Sequence, residues 1–371
     1  MNVNLRQRLS QFHSLFQREL MPLVEADLGE QLTPKLQQLL RIWEMIEIER
    51  FVPSWRGLVG RPPRERAALA RALVAKTVLG LPTTAALVDR LAVDATLRQL
   101  CGFDLRKKKM PGEHLFSRAF KEFSAQGLMQ QAHEALIKAQ LSDQLIGHIA
   151  RDSTAIEARE KPPKRAKAAT PAAQRKRGRP CKGDVRPAAE PTRIERQAAG
   201  MSLPAMLAEL PQACDAGSKT NSQGFKATWI GYKLHLDVVD GQIPISAVLT
   251  SASTHDSQVA LPLATLSAQR VTSLYDLMDA AYCSPLIRQH SRDLGHVPLI
   301  DHNPRGGVKR EFAPHEAERY KIRTQAERVN ARLKDEFGAN FVRVRGHAKV
   351  AAHLMLGVLV LSADQLLRLI T

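Results

Sequence analysis

Residues 227–250, ATWIGYKLHLDVVDGQIPISAVLT, decide the fold class. Two β-rich runs, Ala227–Val239 and Ile243–Thr250, flank Asp240-Gly241-Gln242, a strong turn signal, and together they predict a hairpin. Upstream, Leu145–Ile156 (LIGHIARDSTAI) is short and strand-like, with Asp152 in its second half. Downstream, Thr272–Met278 reads as a buried strand that delivers Asp279 at its end, and His296–Ile300 as another short strand. Leu261–Ala268 and Tyr282–Asp293 read as helices between them. Two long helices close the chain, Pro314–Phe337, with its proline well placed near the start, and 347–370. Residues 145–371 therefore predict a mixed α/β unit.

Residues 1–144 read differently. Leu5–Phe16, Leu36–Ile48 and Leu115–Ile137 repeat apolar residues at helical spacing. Pro63 helps open a run from Arg64 to Val78 that Gly80 closes, and shorter helices follow from Thr83 or Thr84 to Leu91 and from Ala95 to Cys101. Helix, Gly-Leu-Pro turn, helix is compatible with a DNA-reading helix-turn-helix; a three-helix bundle reads the same way. Residues 160–200 are expected to be a flexible basic insertion. Within them Lys161–Gly183 holds nine basic residues, four prolines and no acid. Its core, Arg175, Lys176, Arg177, Gly178, Arg179 and Pro180, resembles a minor-groove-binding hook, and a solvated linker is the equal alternative.

With 371 residues, 44% of them hydrophobic, the chain can bury a sizeable core. Lys plus Arg number 54 against 37 acids, a net charge of +17, which points to a polyanionic partner and to nucleic acid first. A membrane is not expected. The apolar run AAHLMLGVLVLSA (351–363) has thirteen residues, short for a span, and MNVNLRQRLSQFH is polar where a signal peptide is apolar. A cytoplasmic location is the expectation. Cys101, Cys181, Cys214 and Cys283 are too scattered for a metal knuckle or a disulfide scaffold.

Polyanion binding by an α/β unit directs attention to carboxylates at strand ends. Phosphoryl transfer on a nucleic-acid backbone can use two metal ions, about 3.5–4 Å apart. Magnesium takes hard oxygen ligands, so two or three carboxylates from different elements suffice. Asp152 and Asp279 fit, because distant residues meet when their strands are neighbours in one sheet. In Glu318–Gly338 (ERYKIRTQAERVNARLKDEFG), Tyr320, Arg323, Glu327 and Lys334 fall within an arc of roughly 60° on a helix. Ile322, Ala326, Val329, Leu333 and Phe337 form a separate apolar stripe. A salt-bridged solvent face would have the same periodicity. Asp276 rivals Asp279, although their odd spacing in a strand sets them on opposite faces. Asp301 looks like turn chemistry, and Glu157, Glu160, Asp237 and Asp256 like surface or supporting groups. Arg151 is expected to point outward while Asp152 points in.

Tyr320-x2-Arg323-x3-Glu327-x6-Lys334 resembles, at all four positions, the signature around the third acid of bacterial insertion-sequence DDE transposases. Gly231–Gly241 followed by Thr254-His255-Asp256 is similar to the same group's second-strand region. Ala150–Thr154 resembles its first catalytic segment, Leu277–Tyr282 its second, and Leu97–Gly127 its N-terminal helical domain. The resemblance implies an RNase H-like core and a catalytic, metal-holding triad of Asp152, Asp279 and Glu327. It implies two Mg2+ ions, with Mn2+ as a substitute, and DNA phosphates met by Tyr320, Arg323 and Lys334. Cleavage at element ends and strand transfer would follow, on double-stranded DNA comprising terminal inverted repeats and a target. At least a dimer is expected on DNA, because two ends must be cut and joined. A nuclease of the same fold would use the same acids, whereas a non-catalytic relic would have a damaged one. The sequence departs from the family pattern where Ala281 stands in the usual glycine place and Cys283 follows Tyr282.

Overall fold

β1 (Leu145–Glu157) runs through the middle of a six-stranded sheet. It pairs antiparallel with β3 (Lys226–Val239) and parallel with β5 (Thr272–Met278). β6 (Val297–Ile300) extends the parallel side, and β4 (Ile243–Ser251) completes the hairpin with β3. Gly241 turns that hairpin at φ +81°, a conformation open to glycine. β2 (Asp215–Thr220) pairs with the first half of β3 and was not expected, because DAGSKT is small and polar and carries no alternation. This computed structural model describes residues 32–53, 66–103, 110–163, 190–220, 224–304, 308–340 and 342–370. The expected helix Leu5–Phe16, the proline at 63, and Arg175, Lys176, Arg177 and Arg179 lie outside the described residues.

Helices cover both faces of the sheet, so β1 and β3 bury charged and polar residues as well as apolar ones. Arg151 does not point outward: it is 1% exposed and donates from Nε and Nη2 to the two oxygens of Asp237, at 2.7 and 2.8 Å. Burial works against its charge, but Asp237 and Asp276 outweigh that and hold its pKa above the usual arginine value. Asp237, expected as a surface or supporting group, is fully buried and also accepts from the Ser267 hydroxyl, on the helix Ala260–Ala268, at 2.6 Å. The alternation of β1 turns Asp152 to the other face, toward the helix Thr324–Asp335.

That helix is the second part of the expected run 314–337, which is broken. Pro314–Tyr320 is followed by a 3-10 turn, Lys321–Arg323, before Thr324–Asp335 begins. The Thr324 hydroxyl donates to the Lys321 carbonyl at 3.0 Å and competes with the helical ladder there. Ala326, Val329 and Leu333 are buried, as the apolar stripe predicts. The expected stretch Leu115–Ile137 is two helices, Glu113–Ala125 and Leu128–Leu141, separated at Gly127 (φ +63°). Of Tyr282–Asp293, only Pro285–Asp293 is α-helical, and the 3-10 turn Ala280–Tyr282 precedes it. Within the expected flexible insertion, Arg193–Ala198 is a helix fixed by a capping box of Thr192 and Glu195.

The last helix, His347–Ile370, joins the front helices to the sheet. It packs on Pro34–Ile46, Arg66–Val78, Glu113–Ala125, Leu128–Leu141 and β4. One continuous apolar cluster runs from Leu36 through β3 and β4 to Leu366. By length and composition this helix would suffice to cross a membrane, but 78% of its most apolar window is buried inside the protein. Gly357 permits the close approach, since a Cβ there would stand 2.7 Å from the Phe337 carbonyl oxygen. In the front region, Arg66–Val78 is buried nearly all round, whereas Thr84–Val93 buries only Leu87 and Leu91.

Removing one partner of a buried ion pair strands the other charge, at a cost of about 3–5 kcal/mol. Asp237→Ala is expected to lower unfolding stability by that amount in a urea titration. A loss below about 1 kcal/mol, the level of an exposed pair, would contradict the burial of Arg151.

Candidate active site

The paired register of β1 and β5 ends at Arg151 opposite Met278. Asp152, still in β1, and Asp279, just past the end of β5, are the next residues, so they stand side by side where neighbouring parallel strands lie about 4.8 Å apart. Asp152 stays in β1, opposite Leu236 of β3. Asp279 leaves its strand and caps the turn Ala280–Tyr282, accepting from the Ala281 N–H at 2.9 Å. Among the described residues, Glu47 and Gln242 are the non-glycine positions with positive φ, so Ala281 occupies a conformation with no demand for glycine.

Burial pushes the Asp152 carboxyl up to about 6, and the charge of Asp279 adds to this. The Ser153 N–H, Lys219 and Arg323 pull the other way. Asp279 is likewise raised by burial and by the charge of Asp256, against the Ala281 N–H, Arg323 and Lys219. Asp256 is largely buried beside this pair. Burial would raise it, but His235, Lys233 and a bond from Ser153 hold it below the ordinary carboxylate range. Lys233 Nζ reaches Asp256 at 3.0 Å. The Tyr282 hydroxyl is buried without a hydrogen-bond partner among the described residues, and burial and the charges of Asp256, Asp152 and Asp279 raise its pKa.

Glu327 stands apart from the two aspartates. Its side chain is 53% exposed and accepts from Arg323 at 2.7 Å. Arg323 lies 5.7 Å from the Tyr320 ring centre, and its charge also acts on Asp152 and Asp279. Tyr320 packs on Phe312 with ring centres 4.8 Å apart, and burial pushes its hydroxyl up to about 12. Tyr320, Arg323 and Glu327 thus form one chain of contacts. Lys334 is half-buried farther along the helix, its pKa lowered by burial and by the charge of Lys219. Among the described residues, no three His, Cys, Asp or Glu side chains are gathered closely enough to hold one metal ion.

Asp276 lies on the opposite face, fully buried, and accepts from the Ser291 hydroxyl at 2.5 Å with His296 at 3.2 Å. Asp301 pairs with Lys309 at 3.2 Å. His347 and His353 bond to the carbonyls of Leu249 and Gly338.

Asp256, expected as a surface or supporting group, lies beside the acids in a supporting place. Two residues near the acids escaped the sequence reading. Lys219 lies on the unexpected β2. Asn330 donates from Nδ2 to Asp152 Oδ2 at 2.9 Å. Its one legible signal is a polar residue amid the apolar stripe, one turn past Glu327.

The oxygen-only donor set and the charge repulsion between the adjacent aspartates suit a hard divalent cation. Residues 143–362 match the family model described as "Transposase DDE domain", and residues 25–122 match "Transposase domain (DUF772)". No curated protein and no solved structure was found to match the chain. The chain belongs to the DDE transposases of insertion sequences, and its helix-flanked mixed sheet is an RNase H-like core. Its function is that of a DNA transposase, and DNA is its partner.

A carboxyl raised from 3.8 to about 6 binds its proton more tightly in the folded than in the unfolded state. Its contribution to stability is therefore present below about pH 3.8 and is lost as pH rises to about 6. Asp152→Asn is expected to stabilise the metal-free protein by about 1–3 kcal/mol at pH 7.5. That gain should vanish near pH 3.5 in paired urea titrations. A variant less stable than the parent at pH 7.5 would contradict the account of this carboxyl.

Proposed function

We propose that this chain cuts DNA at insertion-sequence ends and joins them to target DNA through Asp152, Asp279 and Glu327. The observation that carries this reading is the adjacency of Asp152 and Asp279 where the parallel pairing of β1 and β5 ends, with Arg323 and Lys219 acting on both. Asp152 and Asp279 would hold Mg2+, with Mn2+ as a substitute and two ions in the working site, and Glu327 would complete the ligand set. Bound there, the ions supply charge stabilisation at the attacking and leaving oxygens.

This chain's own residues do the rest. Arg323 and Lys334 bind phosphates beside the scissile bond, and Tyr320 donates to a phosphate or stacks on a displaced base. A DNA phosphate competes with Glu327 for Arg323, so DNA binding frees the third carboxylate from its ion pair. Cleavage forms a bond from water to phosphorus and breaks the bond to the 3′ oxygen, leaving a 3′-hydroxyl. That hydroxyl then attacks a target phosphodiester and displaces its 3′ oxygen, with one bond formed for each broken. We take residues 1–144 as the DNA-binding and assembly region and 145–371 as the catalytic domain. Arg175, Lys176, Arg177 and Arg179 of the insertion add DNA contacts. The working form is at least a dimer on DNA, in the cytoplasm.

Nicking of a labelled end duplex in Mg2+ tests the triad. Asp152→Asn, Asp279→Asn and Glu327→Gln are expected to bind the duplex normally and to lose both cleavage and strand transfer. Arg323→Ala should weaken DNA placement and lower turnover, and Asp276→Asn should retain appreciable activity. Normal cleavage by Glu327→Gln would discard the triad. A dead Asp276→Asn beside an active Asp279→Asn would move the second acid three residues upstream.

A further inference from the structure

The buried amide of Asn330 has two unlike halves. Its Nδ2 donates to Asp152 Oδ2 at 2.9 Å, while its Oδ1 is buried without a hydrogen-bond partner among the described residues. The residue is 7% exposed and lies between Val329 and Leu333 on the inner side of the helix Thr324–Asp335. Asparagine is a poor choice for that position on packing grounds. Its helix propensity is low, and a buried acceptor without a donor is destabilising. An apolar side chain would avoid both penalties, but it would leave Asp152 Oδ2 without this donor.

The orientation of the amide follows from its neighbour. An ionised carboxylate only accepts hydrogen bonds, so the amide must present its NH2 to Asp152, and its oxygen is turned away. We propose that Asn330 is a positioning residue for Asp152, an inference that rests on the acid-pair reading of the site. Nδ2 fixes one carboxylate oxygen and leaves the other to meet a divalent cation. Because Asn330 is one turn beyond Glu327, the helix that bears the third acid also sets the rotamer of the first. Partners of this kind, one shell out from a metal, typically change its affinity by about 10–100-fold.

The test uses the full chain and Mn2+ alone as the probe, with affinity measured by calorimetry and stability by thermal unfolding. Asn330→Leu keeps the volume and removes both polar atoms. It is expected to keep about the stability of the parent, since the lost donor to Asp152 offsets the removed unpaired acceptor, and to bind Mn2+ about tenfold more weakly. Cleavage of an end duplex should then need about tenfold more Mn2+ for half-maximal rate, with a smaller loss at saturation. Asn330→Ala should show the same metal shift with lower stability. In an Asp152→Asn background, Asn330→Leu should cause no further loss of Mn2+ affinity.

Unchanged Mn2+ affinity in Asn330→Leu, with Asp152→Asn defective, would overturn this inference and leave the acid pair standing. Unchanged affinity in Asp152→Asn would overturn the acid pair and this inference with it. A stability change in Asn330→Leu without any metal shift would assign the residue to packing and also overturn the proposal.

Discussion

The alternation of β1 at Arg151 and Asp152 is the constraint on which the site depends. The two charged neighbours face opposite sides of a sheet that is covered on both. Arg151 fixes the register from below. It clamps Asp237 of β3 with two hydrogen bonds and donates from Nη1 to the Met278 sulfur of β5 at 3.4 Å. One buried guanidinium therefore ties the three central strands together directly beneath the acids. A slip of one residue would turn Asp152 into that interior and Arg151 out of it, so the register is strongly specified. Asp279 inherits its place from the same alignment, one residue beyond the Met278 that Arg151 touches.

The upper face carries the opposite balance. Two carboxylates are half or more removed from water and repel one another, and Lys219 and Arg323 offset this only in part. Such a pair costs folding free energy and favours a cation or a proton. Stability in this molecule comes from elsewhere, above all from the apolar cluster that the helix His347–Ile370 builds with the front helices and β4. Glu327 is half in solvent and rests on one ion pair, with Arg323 of the preceding 3-10 turn.

The parts of this arrangement that were legible in the sequence are those encoded locally. The hairpin followed from a turn signal between two β-rich runs, and Asp279 from its place at the end of an apolar strand. The opposite facing of Asp276 and Asp279 followed from strand period alone. Other features depend on partners far along the chain. An arginine in a strand was assigned to solvent, and its burial became visible only with Asp237, 86 residues away. Asn330 is separated from Asp152 by 178 residues, and no local pattern connects them. β2 forms because the exposed end of β3 offers it a paired edge, not because DAGSKT has a strand pattern. The break before Thr324 arises from one hydroxyl competing for a backbone carbonyl, a detail below the resolution of periodicity.

The central claim is that Asp152 and Asp279 form one cation-holding pair that Glu327 completes on DNA. Anomalous diffraction from crystals of the protein with end DNA, grown in Mn2+, tests it directly. The account predicts a manganese peak between Asp152 and Asp279, with Glu327 released from Arg323 and Arg323 on a phosphate. A peak at Asp276 or Asp256 without Asp152, or no peak at the paired aspartates while DNA is bound, would contradict it.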